Sequence, residues 1–423
     1  MPFRFVHTAD IHLDSPLRSL SLRNPDLAAL IGDATRQALV AIVDLCLEER
    51  VDALIVAGDL YDGDQTSMKT ARFLAGEMAR LHAAGIAVFK VRGNHDSLSK
   101  ITRELQLPPS VRVFGGRAEA VVRDAGGRDI VIHGMSFAKP QAPDSLLPGY
   151  RPPVPDAVNI GIMHTSLGGA LGHDVYAPVS LADLQKHGFR YWALGHIHQR
   201  AEHRGATTVV MPGIPQGRDI NEAGAKTVSL VTVGDDGTIA VEERRTSIAE
   251  FGRVEVDLSG SATWREAVDA VGRALAKART GAASPHLVAR LTLTGATPLS
   301  WQLHRDLDLM LAEAERQAEG IGKVWIEKIG IATREAEDRL RGSGADPVTE
   351  FGALMRAEIA GSPGLREEVR QLVKELGEDL PGEIRNFSGG DEAGFEAFVD
   401  RLLEDGSRDV LARLIAGGMA EEA

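Results

Sequence analysis

Short apolar runs recur through the first half of the chain, and most of them stop at polar residues able to bind or move charge. Phe3 to Thr8 predicts a strand that runs into Asp10-Ile11-His12. Asp52 to Ala57 predicts a short buried strand stopping at Gly58-Asp59, and Ile86 to Arg92 another stopping at Gly93-Asn94-His95-Asp96. Between them, Asp33 to Arg50 and Thr66 to Ala83 carry helical spacing, with Asp33 at an N-cap position and Gly85 as a stop. This β-α-β-α-β order predicts right-handed crossovers and a parallel core. Ligands of such sheets sit beyond the carboxyl ends of the strands, where every one of these polar stretches falls.

From Val111 to Ser136 the pattern changes to short strands separated by glycine, and Pro148 to Pro155 reads as an extended connector. Asn159 to Met163 predicts a strand ending at His164. A helix follows near Leu181 to His187, and Tyr191 to Leu194 predicts a strand ending in Gly195-His196-Ile197-His198. Strands at Thr207 to Val210, Thr227 to Val233 and Thr238 to Arg244 close a first domain, residues 1–248. Residues 249–334 read as a smaller α+β domain. Its strands are Arg253 to Leu258, Leu287 to Thr294 and Lys323 to Ile331, and its helices Trp264 to Ala278 and Leu303 to Ala318. Trp264, Trp301 and Trp325 are expected in its core. Residues 335–423 are charged and helix-rich. Phe395 to Leu414 carries apolar residues near helical spacing, which suits a packing face or a docking surface for a partner helix equally well.

Composition narrows the function. A chain of 423 residues accommodates two or three domains. Its net charge of −13 argues against a protein that coats nucleic acid, since phosphate binding needs clustered Lys and Arg. It leaves room for a nuclease whose local positive charge comes from bound metal. Cys46 is the single cysteine and lies in an apolar pattern, as a buried thiol would. No apolar run reaches the ~18 residues of a membrane span. The N-terminus lacks the apolar region of a signal peptide, so a soluble cytoplasmic protein is expected.

Asp10, His12, Asp59, Asn94, His95, His164, His196 and His198 all fall at strand ends. Asp10/His12 and His196/His198 are i, i+2 pairs, which extended backbone places on one side. Carboxylate, imidazole and amide oxygen together suit Mn²⁺, Fe²⁺ or Zn²⁺, and the absence of thiolates disfavours a structural zinc site. One ion cannot use so many donors. Two ions about 3.5–4 Å apart can, and Asp59 is the natural bridge.

These stretches resemble the calcineurin-like metallophosphoesterase family. Its pattern D-x-H, G-D, G-N-H-[DE], H and G-H-x-H is matched by Asp10-Ile11-His12, Gly58-Asp59, Gly93-Asn94-His95-Asp96, His164 and Gly195-His196-Ile197-His198. The segments His7 to Leu13, Ala57 to Asp62, Tyr191 to His198 and Met211 to Arg218 are similar to the SbcD-type DNA repair exonucleases, and within them to bacterial YhaO-like proteins. The resemblance implies an α/β fold, a four-layer β-sandwich flanked by helices, and so replaces the all-parallel core by a pair of mixed sheets. The smaller α+β domain would cap the site, with a helical C-terminal region after it.

The resemblance also implies one metal on Asp10, His12, Asp59 and His198, and another on Asp59, Asn94, His164 and His196, usually Mn²⁺. His95 would be a catalytic imidazole outside the metal shell, with Asp96 orienting it. Some relatives carry a histidine three residues after the bridging aspartate; Asp62 stands there, and no catalytic role is assigned to it. The implied activity is a 3′–5′ DNA exonuclease and single-strand endonuclease in DNA repair. Its implied partners are DNA, an SbcC-like SMC coiled-coil ATPase and a second copy of the chain. The alternatives are a phosphodiesterase or phosphatase for small nucleotides and, last, a non-enzymatic scaffold. Arg18, Arg92, Arg200 and Arg218 lie near the motifs as candidate phosphate contacts, each weighed against a solvated or structural guanidinium.

Overall fold

The computed structural model describes residues 2–15, 25–62, 67–97, 106–124, 127–168, 175–334, 362–379, 387–389 and 391–421, with positions 354 and 358. They fall into two compact units, residues 1–252 with 279–288, and residues 253–278 with 289–423.

In the first unit the strands are β1 (Phe3–Thr8), β2 (Ala53–Ala57), β3 (Ala87–Val91), β4 (Val111–Val113), β5 (Glu119–Asp124), β6 (Asp129–Gly134), β7 (Val158–His164), β8 (Tyr191–Gly195), β9 (Ala201–His203), β10 (Thr208–Met211), β11 (Thr227–Val233) and β12 (Ile239–Arg245). They form two six-stranded sheets, ordered β12-β11-β1-β2-β3-β4 and β5-β6-β7-β8-β10-β9. The first is parallel from β1 to β4, and β11 and β12 join it antiparallel. The second is parallel through β6, β7, β8 and β10, with antiparallel β5 and β9 at its edges.

Between the sheets lie Phe5, Ile55 and Phe89 from one and Ile132, Ile160 and Tyr191 from the other. The outer face of the first sheet, with Val6, Leu54, Val56 and Val88, is covered by helices α1 (Pro25–Glu48) and α2 (Met68–Ala83) through Leu39, Ile42, Leu74 and Leu81. On the second sheet, Leu184 of the short helix α3 (Leu181–Lys186) joins Trp192 and Leu194. This is the four-layer sandwich that the motifs imply. Burial on both faces explains why β2 is a continuous apolar run rather than an alternating one, and why β3 is interrupted only by Lys90, whose charge is paired within the core.

Local expectations shift in three places. Helix α1 starts at Pro25, eight residues before Asp33, because Leu27 and Ile31 continue its buried face and proline suits a first turn. Asp33 therefore lies inside the helix, where the Gln37 amide reaches it. Helix α2 starts at Met68, with the Ser67 hydroxyl accepting from Thr70 N; Thr66 lies outside the described residues. The Asp10/His12 and His196/His198 pairs do not sit on extended backbone. β1 ends at Thr8 and β8 at Gly195, and Asp10, His12 and His196 have φ of 51°, 45° and 108°.

In the second unit, strands β13 (Ala249–Asp257), β14 (His286–Ala296) and β15 (Val324–Arg334) form a sheet in that order. Its helices are α4 (Trp264–Gly281), α5 (Ser300–Arg305), α6 (Leu307–Ile321), α7 (Pro363–Asp379) and α8 (Glu392–Glu421). The helix expected over Leu303 to Ala318 is two helices, broken at Asp306. The three tryptophans are half-buried, not core; the buried side chains are aliphatic, among them Val271, Leu275, Leu291, Leu293 and Met310. Arg366 of α7 pairs with Glu396 and Asp400 of α8, and Arg370 with Glu396. The apolar positions of α8 divide: Val399 and Leu403 are buried, Leu402 and Val410 exposed. Among the described residues, no helix is long and apolar enough to cross a membrane.

Candidate metal centre

The loops after β1, β2, β3, β7 and β8 converge at one end of the sandwich, and main-chain bonds lock them together. Asp10 N donates to Gly58 O (3.1 Å), His12 N to Asp59 O (3.1 Å) and Leu13 N to Leu60 O (2.9 Å). Asp10 spans the two sheets by accepting from His196 N (2.9 Å), and Asp59 Oδ1 accepts from His95 N (3.1 Å). Asp10, His12, Asp59 and His196 all adopt left-handed φ, which costs an ordinary residue about 1–3 kcal/mol. Such a cost persists only where the surroundings over-determine the backbone, as this ladder does. Gly58 and Gly93 are required for a different reason. A Cβ at Gly58 would lie 2.3 Å from His164 Nδ1, and one at Gly93 2.3 Å from Asp59 Oδ1 and 2.6 Å from His164 Nε2.

Three groups of donors meet among the described residues, His12, Asp62 and His95 forming one of them, and the other two share a carboxylate. Asp10, His12 and His198 bring one atom each within 4.8 Å of one another, and so do Asp10, Asp59 and His164. Asp10 is the carboxylate common to both, where the motifs point to Asp59. The proton positions follow from the partners. His12 Nδ1 faces Asp62 Oδ1 (2.8 Å) and His198 Nδ1 faces Glu222 Oε1 (2.7 Å), so each Nδ1 carries the hydrogen. Their Nε2 lone pairs then confront each other at 3.2 Å, an arrangement that calls for a cation. His164 repeats the pattern: Nδ1 donates to Ala57 O (2.9 Å), while Nε2 faces Asn94 Oδ1 (3.0 Å) and Asp59 Oδ2 (3.3 Å), both acceptors. His196 completes the set, its ring 5.1 Å from that of His164 and 5.3 Å from Tyr176. Nitrogen and oxygen donors without sulfur fit two borderline-hard divalent ions.

The charges follow the same logic. Burial disfavours an imidazolium at His164, but Asp59 and Asp10 outweigh it and raise the pKa to about 9. In the metal-free chain a proton stands where a cation can bind. Burial lowers His12 instead, only partly offset by Asp62. Burial raises Asp10, whereas at Asp59 the His164 charge overcomes burial and holds the carboxyl well below its usual range.

The expected pairing of His95 with Asp96 is corrected. Asp96 is fully buried, ion-paired to Lys90 Nζ (2.6 Å), and accepts from Gly93 N (2.8 Å) and, more weakly, Leu60 N (3.4 Å). It staples the second and third ligand loops and does not face the imidazole. His95 Nδ1 instead meets Asp62 Oδ1 at 3.0 Å, and that contact raises its pKa. Asp62 thus holds both His12 and His95, and is itself held by the Ser15 hydroxyl (2.5 Å). Its signal in the sequence was its place three residues after Asp59. Glu222 carried none: it reaches His198 from a turn 24 residues on.

Of the arginines, Arg18 lies outside the described residues. Arg200 is committed to Ser229, Glu202 and Glu243, and Arg92 bonds Ser136 Oγ through its backbone amide. Arg218 stands beside His198 on Glu222. His7, one turn of sequence before the ligands, is structural: Nδ1 accepts from Tyr191 OH (2.9 Å), Nε2 donates to Leu194 O (3.0 Å), and burial lowers its pKa to about 3.

Residues 3–200 match the family described as calcineurin-like phosphoesterase, and residues 251–334 the middle domain of metallophosphoesterase YhaO. The chain is 33% identical over 360 residues to the uncharacterized metallophosphoesterase YhaO of Bacillus subtilis (strain 168), covering 83% of this chain and 85% of that protein. It is 27% identical over 204 residues to the DNA double-strand break repair protein Mre11 of Sulfurisphaera tokodaii, covering 47% of this chain and 49% of that protein. The Mre11 of Methanocaldococcus jannaschii is 27% identical over 290 residues, covering 64% and 73%.

Proposed function

The chain belongs to the YhaO-like calcineurin-like metallophosphoesterases, phosphoester hydrolases that use two divalent metals, and from that premise we propose that it is a DNA nuclease in DNA repair. The observation that carries the reading is the pair of opposed imidazole nitrogens, His12 and His198 Nε2 at 3.2 Å, with the half-exposed His95 ring beside them. As the family pattern implies, one ion would be held by Asp10, His12, Asp59 and His198 and the other by Asp59, Asn94, His164 and His196, with Mn²⁺ as the metal, while Asp10 also lies within reach of both donor groups. Bound there, such a pair supplies a nucleophile at neutral pH and positive charge for phosphoryl oxygens.

The chain's own groups do the rest. Asp62 favours the charged form of His95 and turns the ring so that Nε2–H points away from the carboxylate, placed to donate to a leaving oxygen, a general-acid role worth about 10²–10⁴-fold. The backbone ladder between the Asp10 and Asp59 loops holds the ligands in place without side-chain rearrangement. Asp96 acts on His95 only through the backbone it clamps.

DNA as substrate is supported by the similarity to two archaeal repair proteins named for double-strand breaks. The net charge of −13 suits an enzyme whose grip on DNA is shared with a partner. We assign that role to an SbcC-like coiled-coil ATPase bound by residues 335–423, and selection of DNA ends to residues 249–334. The test is Mn²⁺-dependent digestion of end-labelled DNA, run beside a cyclic dinucleotide and p-nitrophenyl phosphate esters. DNA cleavage lost on chelation is expected. Hydrolysis of the small esters alone would move the assignment to a small-nucleotide phosphodiesterase.

A further inference from the structure

Met211 to Arg218 is a motif that the metal ligands themselves leave unexplained. In the fold it wraps the last ligand loop. Ile214 N donates to His198 O (3.1 Å), and Gly213, at φ 76°, passes so close that a Cβ would lie 2.7 Å from that same oxygen. Gln216 is fully buried and spends its amide on the main chain: Oε1 accepts from Ile248 N, and Nε2 donates to Gly217 O and Ala249 O. The chain then makes a short 3-10 turn, Ile220–Glu222, capped by the Asp219 carboxylate on Asn221 N. A Cβ at Gly217 would lie 2.7 Å from Glu222 O, so the turn closes only over glycine.

The product of this path is the position of Glu222. Its side chain is 11% exposed, and its carboxylate serves three groups. It accepts from His198 Nδ1 (2.7 Å), from Arg218 N (2.7 Å) and from Arg218 Nη2 (3.0 Å). Arg218 Nη2 also approaches His198 Nδ1, but at 3.5 Å. The shorter contact decides the tautomer: the hydrogen is on Nδ1, pointing at the carboxylate, and Nε2 is left as a donor atom for metal. Arg218 Nη1 makes no hydrogen bond among the described residues, and its side chain is 20% exposed. A guanidinium held through Nη2 at 3.0 Å and more weakly through Nε at 3.5 Å, with Nη1 open beside a metal centre, is built to receive an anion.

Resting on the reading of the centre given above, we propose that Glu222 is a positioning residue that orients His198 toward the metal and holds Arg218 at the rim as an anchor for the substrate phosphate. One carboxylate thereby couples the grip on metal to the grip on substrate.

The test titrates Mn²⁺ into the full chain, freed of metal by chelation, and reads the heat. The wild-type chain is expected to bind two equivalents; if it binds none, the metal reading fails and takes this inference with it. With the wild type binding two, Glu222→Ala is expected to weaken one equivalent by about 10–100-fold, while Glu222→Gln, whose amide oxygen still accepts from Nδ1–H, keeps wild-type affinity. Arg218→Ala is expected to keep both equivalents and raise KM for bis-p-nitrophenyl phosphate by about 10–100-fold, the worth of charge-assisted hydrogen bonds. Unchanged Mn²⁺ affinity in Glu222→Ala, or unchanged KM in Arg218→Ala, overturns the proposal. Nitrogen-15 spectra of labelled histidine in the metal-free wild type give an answer free of folding effects. His198, assigned by the signal lost in His198→Asn, should be the Nδ1–H tautomer, and the Nε2–H tautomer would refute it.

Discussion

The His164 ring is held by main chain; the rings of His12, His95 and His198 are held by carboxylates. On the first flank His164 and Asp59 are buried among strand ends, with Ala57 O fixing the imidazole and Gly58 and Gly93 admitting it. The second opens toward solvent, where the His95 side chain is 46% exposed and Asp62 and Glu222 set the hydrogens. The two flanks differ in which part can vary. A flank positioned by backbone has no side chain to adjust, and any added atom disrupts it. A flank positioned by second-layer carboxylates can be tuned one residue at a time.

The largest effect is expected of Gly93→Ala, on the buried flank. Its methyl would overlap Asp59 Oδ1 and His164 Nε2, both rigid, so loss of bound metal and of turnover to background is expected in a chain still folded by circular dichroism. Metal analysis showing two tightly held ions would contradict it. On the open flank, His95→Ala should retain both ions and lose about 10²–10⁴-fold in kcat. Asp62→Asn should fall short of that, by about 10–100-fold, because the amide can still orient the ring but no longer favours its charge. Full activity in a metal-replete His95→Ala chain would remove the proton-donor role.

A smaller effect separates the flanks by pH. Metal at His164 must displace a proton from a group whose pKa is about 9, so affinity there should rise about tenfold per unit as pH increases toward 9. Burial lowers His12, so a proton there competes less with metal and any rise at its flank should be smaller. Calorimetry in buffers of different ionisation enthalpy reads the released protons, and equal release at both ions would erase the distinction. Smallest for the centre is Tyr191→Phe. It leaves buried His7 Nδ1 without its donor at a cost of about 1–3 kcal/mol in unfolding free energy, with Mn²⁺ binding unchanged.

The ligand types, their order and their place at strand ends are legible in the sequence. Each motif is local: a buried apolar run with two packed faces must be a strand, and the polar residues after it must lie at its carboxyl end. It also pointed to the sandwich through family resemblance. It did not determine how the i, i+2 pairs come together, because Asp10, His12 and His196 meet through left-handed turns that cross-loop hydrogen bonds impose.

Which carboxylate serves which imidazole depends on how distant loops pack. Asp96 is adjacent to His95 in sequence, yet buried Lys90 and two backbone amides claim it, since an unpaired ammonium in that core would be far costlier than a lost contact at the surface. Asp62 reaches His95 across 33 positions and Glu222 reaches His198 across 24, contacts set by how separate loops pack and carried by no local pattern.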